Sequence, residues 1–328
     1  MNSKKILITG GAGYVGSALV PELLNLGFKV TVLDLMIYGE DVLANHKNLK
    51  IIKGDIRNQS LLKQILPSHD TVIHLACISN DPSFELNPEL GKSINLDPFE
   101  PLVKISKQSN IRKFIYASSS SVYGIKKEKN VDEMMSLEPL TDYSKFKVEC
   151  EKILNNYGDD NFSVTTIRPA TVCGYAKRQR LDVIVNILTN FAYFKKEINI
   201  FGGSQLRPNI HIKDMVRSYI ETIRADVKLI NKQIFNVGST NHSVIEIAKT
   251  VKNNLKGDIA IKKIHSDDIR SYHISSEKIK KILKFEPKLT IKDAVLDLKE
   301  AFDKKLLTNT FENINYFNIK KMQSINLK

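Results

Sequence analysis

From its first residues the chain alternates short apolar runs of strand length with stretches of helical periodicity, the pattern of parallel strands joined by crossover helices. Residues 4–9 (KKILIT), 28–34 (FKVTVLD), 49–53, 71–75 (TVIHL), 113–117 (KFIYA) and 163–168 (SVTTIR) read as strands. Residues 14–26, 58–66, 87–109 and 142–157 read as helices. The fold class that follows is α/β, with a doubly wound parallel sheet. Pro21 conflicts with the first helix, because it lacks an N–H and crowds the carbonyl of Ser17, so a kink or 3₁₀ turn is expected there.

After Arg168 the rhythm loosens, with helical stretches at 182–194, 212–224, 243–255 and 291–302 and a short strand at 198–201. The apolar run 233–237 (QIFNV) is suited to return to the main sheet. The expected division is a sheet domain over 1–168, completed by a returning segment near 212–240, and a smaller α/β substrate-binding lobe formed mainly by 169–308. A polar, basic tail covers 309–328, with Phe311, Tyr316 and Phe317 as its large anchors.

Composition narrows the class. The 328 residues, 42% hydrophobic and 26% charged, suit a globular protein with a sizeable core. No apolar run reaches the roughly 20 residues that span a bilayer, and the N-terminal apolar run ends at glycines, so no membrane association and a cytoplasmic location are expected. Cys77, Cys150 and Cys173 are far apart and fit neither a disulfide framework nor a zinc site, so they read as reduced packing residues and no metal is expected. The formal charge of +13 is spread along the whole chain, without the basic helix or aromatic run of a nucleic-acid-binding module, so no nucleic-acid partner is expected.

Ile8-Thr9-Gly10-Gly11-Ala12-Gly13-Tyr14-Val15-Gly16 places glycines between a strand and a helix. Glycines there allow a tight turn and close approach to a pyrophosphate, which the N–H groups of the helix start then face; this is the dinucleotide turn of a Rossmann sheet. The second strand ends in Asp34, whose carboxylate can accept hydrogen bonds from the adenosine ribose hydroxyls and would repel a 2′-phosphate. No arginine follows in LMIYGED, so NAD is favoured over NADP. Asp55 and Ile56 after the third strand, and Leu75 and Ala76 after the fourth, fit the adenine side and the cofactor's path along the backbone. His74, among apolar neighbours, reads as a core histidine.

Tyr143 and Lys147 lie four residues apart at the start of a helix capped by Thr141 or Asp142, so both project from one face. Ser118 to Ser121 follow a strand, at the carboxyl end of the sheet where ligands bind. A phenol is a poor base at neutral pH, but an adjacent ammonium favours the phenolate, and a serine hydroxyl can share the substrate's hydrogen bond.

TGGAGYVG, Asp34, GDIR, HLA, SSSSVYG, YSKFK, RPATVCG, FNVGS and SYHIS occur in an order that resembles the extended short-chain dehydrogenases/reductases, in particular the NAD-dependent nucleotide-sugar epimerase/dehydratase family. The resemblance implies Ser119, five residues before Gly124, as the active-site hydroxyl, with Tyr143 as base and Lys147 as its partner and nicotinamide-ribose ligand. It implies that Gly10, Gly13, Tyr14, Val15 and Gly16 hold the cofactor and that Pro169, Ala170 and Val172 approach the nicotinamide. Ser79, Ser119 and Ser120 are expected at the substrate, with Arg207 (in GGSQLRPNIHIKD) and Arg270 (in DDIRSYHIS) on its diphosphate. It also implies a homodimer formed through the helices near 87–109 and 142–157.

Two departures refine the reading. Dehydratases of this type carry an Asp-Glu pair where Ser120 and Ser121 stand, and the sugar-acid decarboxylases carry a glutamate at the position of Ser121, so both reactions are disfavoured. Residues 177–185 (KRQRLDVIV) replace the usual Asn-containing stretch; Arg178 and Arg180 could bind a diphosphate or base edge, or be solvated loop charges. With SNDP at 79–82 and the tail, this stretch resembles a subgroup of heptose and polysaccharide-precursor dehydrogenases and leaves the nucleotide open among UDP, GDP and CDP. The reading is a nucleotide-sugar 4-epimerase working through a transient 4-keto sugar. The alternatives are a 4-dehydrogenase or reductase, and a non-catalytic NAD-binding protein.

Overall fold

The computed structural model describes residues 4–79, 86–128, 130–265, 271, 273–325 and 327. In chain order its elements begin with β1 (Lys5–Thr9), α1 (Tyr14–Asn25), β2 (Lys29–Asp34), β3 (Leu49–Lys53), α2 (Gln59–Ile65) and β4 (Thr71–His74). They continue with α3 (Pro88–Asn95), α4 (Phe99–Gln108), β5 (Lys113–Ala117), α5 (Asp142–Tyr157), β6 (Ser163–Pro169) and β7 (Thr171–Cys173). Next come α6 (Ile184–Lys195), β8 (Glu197–Phe201), β9 (Leu206–His211), α7 (Ile212–Arg224), α8 (Val227–Ile230) and β10 (Gln233–Val237). The last are β11 (Thr240–Ser243), α9 (Val244–Asn254), β12 (Ala260–Ile264), α10 (Glu277–Leu283), α11 (Ile291–Asp303) and α12 (Asn318–Ser324).

A seven-stranded parallel sheet runs β10-β6-β5-β4-β1-β2-β3. The period-two rule sorts its side chains: Ile6 and Ile8 of β1 join a core with Leu19, Val20 and Phe235, whereas Leu7 joins the opposite one with Leu62, Phe99 and Phe114. The expected returning strand is β10, paired with β6. Two small sheets, β11-β9-β7 and β12-β8, flank a third core of Val185, Leu188, Ile198, Ile247 and Val295. No described helix is long and apolar enough to cross a membrane.

Two local expectations need correction. The stretch 87–109 is two helices, because Pro98 occupies the cap of α4, and its ring disfavours helical backbone at the residue before it. Helix α1 stays α-helical through Pro21, without a 3₁₀ turn; the fully buried Leu19, Val20 and Leu23 hold it against the sheet despite the missing hydrogen bond. The tail contains a 3₁₀ turn at Ile314–Tyr316 and then α12. Its anchors behave as expected, with Tyr316 and Phe317 packed on Leu181 and Phe302, and the Phe311 ring 5.1 Å from that of Phe191.

Candidate active site

The strand ends of the large sheet, the segment after β7 and the tail enclose a cavity of about 490 Å³, within the range of small-molecule sites. Its floor is the glycine turn. Gly10 has φ +74°, and a Cβ there would lie 2.5 Å from the Ala76 nitrogen. A Cβ on Gly16 would lie 2.4 Å from the Gly11 carbonyl oxygen, so this glycine allows the turn to pack against the helix start. Around Gly13 the space stays open apart from the Gly10 carbonyl, leaving room above the first N–H groups of α1. Tyr14 and Val15 also line the cavity. The Tyr14 hydroxyl turns away to donate to the Gly174 carbonyl (2.6 Å) and accept from Asn186 (3.0 Å), tying α1 to the segment after β7.

Asp34 ends β2 at the cavity wall, its carboxylate accepting from the backbone N–H of Ala12 (2.9 Å) and Met36 (2.8 Å). Burial raises its pKa against the pull of these two bonds and of Arg178. Asp55 and Ile56 line the same end. The Asp55 carboxylate is held by Arg57 (2.6 Å), and although burial alone would raise its pKa, the Arg57 hydrogen bonds hold it below the ordinary value. Leu75 and Ala76 form the wall after β4, and Pro169, Ala170 and Val172 the wall after β6.

Ser119, Ser120, Tyr143 and Lys147 line the same cavity. Helix α5 starts with a capping box, in which Thr141 accepts from the Ser144 N–H and Ser144 returns the bond. That fixes the first turn, which carries Tyr143, and the second, which carries Lys147. The Lys147 ammonium donates to the Ala117 carbonyl (2.7 Å) and lies 5.6 Å from the Tyr143 ring centre. The Ser119 hydroxyl caps the 3₁₀ turn Ser120–Tyr123, accepting from the Ser121 N–H (3.1 Å) and sharing a 2.8 Å hydrogen bond with the Ser121 hydroxyl. His74 stays out of the cavity lining, bonded to Thr9 (2.7 Å) and packed on Tyr116, and burial pushes its pKa down to about 3. It is the core histidine expected. The cysteines are free, Cys150 and Cys173 being buried.

Next to Lys147 lies a buried network absent from the sequence-based expectations. Glu151, one helical turn beyond Lys147, accepts from Ser118 and takes a two-pronged bond from Arg168 (3.0 and 2.6 Å). Arg168, 1% exposed, also donates to the Tyr123 hydroxyl (2.7 Å), which donates to Asn236 on β10 (2.7 Å). A charged residue closing an apolar strand, and a carboxylate four residues after Lys147, were the available signals.

Arg178 and Arg180 line the cavity, but not as solvated loop charges. Arg178 is 4% exposed, with its guanidinium 3.5 Å from the Tyr38 ring centre. Its charge therefore reaches Asp34, delivered from far along the chain rather than from the stretch after that residue. Arg180 pairs with Asp182 (2.8 Å) and approaches Ser79 (3.4 Å). Asn318, Met322 and Leu327 of the tail line the cavity too, a contribution with no sequence signal. Arg207 lines it while donating to the Leu206 carbonyl (3.0 Å). Arg270 and residues 80–82 lie outside the described residues.

A Rossmann-type sheet whose glycine turn and strand-end carboxylate share one cavity with a serine, a tyrosine and a lysine defines a dinucleotide-dependent α/β protein of the short-chain dehydrogenase type. The chain belongs to the NAD dependent epimerase/dehydratase family, whose model matches residues 6–238. It is 28% identical over 268 residues to the UDP-glucose 4-epimerase of Lactobacillus helveticus, covering 76% of this chain and 81% of that protein. Among solved structures, the UDP-N-acetylglucosamine 4-epimerase of Methanobrevibacter ruminantium M1 in complex with UDP-N-acetylmuramic acid superposes with TM-score 0.85 at 25% identity, covering 93% of this chain and all of that one. MoeE5 in complex with UDP-glucuronic acid and NAD superposes with TM-score 0.81 at 27% identity, covering 92% and 99%.

Proposed function

We propose that this protein is an NAD-dependent nucleotide-sugar 4-epimerase that oxidises the sugar at C4 and reduces the transient 4-keto sugar on its opposite face. The observation that carries this reading is the convergence of Ser119, Tyr143 and Lys147 on the cavity that also holds the glycine turn and Asp34. These residues fit the cofactor: the space left open at Gly13 and the helix N–H groups suit a pyrophosphate, and the Asp34 carboxylate suits a ribose diol. Bound there, NAD would accept a hydride from the sugar carbon and return it.

The Tyr143 phenolate takes the C4 hydroxyl proton as the hydride leaves, and gives it back when the ketone is reduced. The Lys147 ammonium lowers the cost of the phenolate charge, and its bond to the Ala117 carbonyl holds it in place. The Ser119 hydroxyl donates to the reacting oxygen in exchange for its bond to Ser121. With Ser120 and Ser121 following it, no acid–base pair adjoins Ser119 in sequence to remove water, which supports epimerisation over dehydration. The similarity to two 4-epimerases supports the same reading. We further infer a cytoplasmic protein that forms a homodimer through α3, α4 and α5; light scattering would test the dimer.

The test is mass spectrometry of small molecules released from the purified protein, followed by incubation with UDP-, GDP- and CDP-sugars without added cofactor. Release of NAD and conversion of one sugar to its C4 epimer support the proposal. A sugar that only reduces bound NAD would replace it with a dehydrogenase. Tyr143→Phe should lower kcat by about a hundredfold or more, the usual scale of a lost general base, while NAD stays bound; undiminished turnover would sink the mechanism.

A further inference from the structure

Arg178 carries a buried charge that no described carboxylate neutralises by an ion pair. Its Nη2 donates to the neutral Asn318 amide oxygen (2.6 Å), its face lies on Tyr38, and its Nε is buried without a partner among the described residues. The Nη2 of Arg180 is likewise buried and unmatched, although its Nε pairs with Asp182. Buried guanidinium N–H groups without acceptors are costly, and an anionic ligand with several oxygens would relieve that cost. Burial pushes the Arg178 pKa down to about 10, which still leaves it cationic at neutral pH.

The position of the pair says which anion. The Arg178 backbone N–H donates to Ser17 in α1 (3.1 Å), the helix whose start faces the glycine turn, and its charge reaches Asp34. That is the part of the cavity formed by the glycine turn, its helix and Asp34. The tail fixes the arrangement. Asn318, 3% exposed, accepts from Arg178 and from the Tyr38 hydroxyl (3.0 Å), donates to Ser79 (2.7 Å) and gives its backbone N–H to Asp182 (2.7 Å).

We propose that Arg178 and Arg180, held in place by Asn318 of the tail, clamp the diphosphate of the bound dinucleotide opposite the glycine turn, so that the C-terminal segment closes the cofactor site. This assignment moves both arginines from the substrate to the cofactor and does not depend on which sugar reaction the enzyme performs.

A diphosphate also occurs in a nucleotide sugar, so the experiment separates the two sources. The full-length protein, freed of bound nucleotide, is titrated calorimetrically with ADP-ribose, AMP and UDP. R178Q and R180Q should each weaken ADP-ribose by about tenfold or more, the scale of a lost charged hydrogen bond, and leave UDP within about twofold. AMP, lacking the second phosphate, should lose less than ADP-ribose. N318A should speed release of NAD from the holoenzyme.

Unchanged ADP-ribose affinity would overturn the clamp, as would a loss confined to UDP or an equal loss for AMP and ADP-ribose. If R178Q lowers the Tm of the nucleotide-free protein, R180Q and N318A read in the same way decide the matter.

Discussion

Asp34 spends both carboxylate oxygens on the backbone of Ala12 and Met36 and still presents its charge to the cavity. A 2′-phosphate there would meet like charge in a partly buried setting. Asp34→Ala should therefore weaken NAD by about tenfold and narrow the preference over NADP, as read from the two dissociation constants; an unchanged preference would put the ribose elsewhere. His74 offers a different residue-scale test. Its pKa is depressed from 6.5 in the unfolded chain to about 3 in the fold, by burial and by the Lys147 charge. Between those values the unfolded state binds the extra proton, so this contribution to stability is present above pH 6.5 and is lost as the pH falls toward 3. His74→Asn should flatten the fall in Tm on acidification through that window relative to wild type. An identical slope in the two proteins would mean that His74 does not titrate as described.

Helix α5 does more than present two side chains. Through Glu151 and Arg168 it is bolted to β6, through Ser118 to the end of β5, and through Tyr123 and Asn236 to β10. Arg168→Met alone should cost about 3–5 kcal/mol in denaturant unfolding, because it leaves Glu151 buried and uncompensated. Pairing it with Glu151→Leu should recover part of that loss; a double variant no more stable than the single one would refute the coupling. Elements were legible in proportion to how locally they are specified. Helix α5 could be read to its bounds because its cap, its apolar face and the following glycine agree; α7 was read to its bounds from its apolar face alone. Strands β7, β9, β11 and β12 were missed. They are short, and β9 carries Arg207 and Pro208, so only pairing with β7 and β11 makes it a strand.

At the scale of the molecule, the sheet and the serine–tyrosine–lysine end of the cavity were legible because each is written in a continuous motif. The arrangement of the far side was not. Ser79 and Arg178 could be named as candidates, but Tyr38, Ser79, Arg178, Asp182 and Asn318 come from four distant segments, and no local pattern shows that Asn318 of the tail joins them. Removing the chain beyond Thr310 should leave the seven-stranded sheet folded, since none of its strands lies there, yet speed the loss of NAD on dilution. Equal retention in the shortened and full-length proteins would show that the tail does not close the site.

The position of β10 bears on how the protein is made. Strand β6 pairs with β5 on one side, and its other edge pairs with residues 233–237, which leave the ribosome after β7, β8 and β9 have been synthesised. Until then a nascent chain carries an unpaired parallel edge flanked by Val164 and Ile167, a template for pairing between chains. Chains that stop near residue 230 should accumulate as aggregates, whereas those that run past 237 can seal the edge before release.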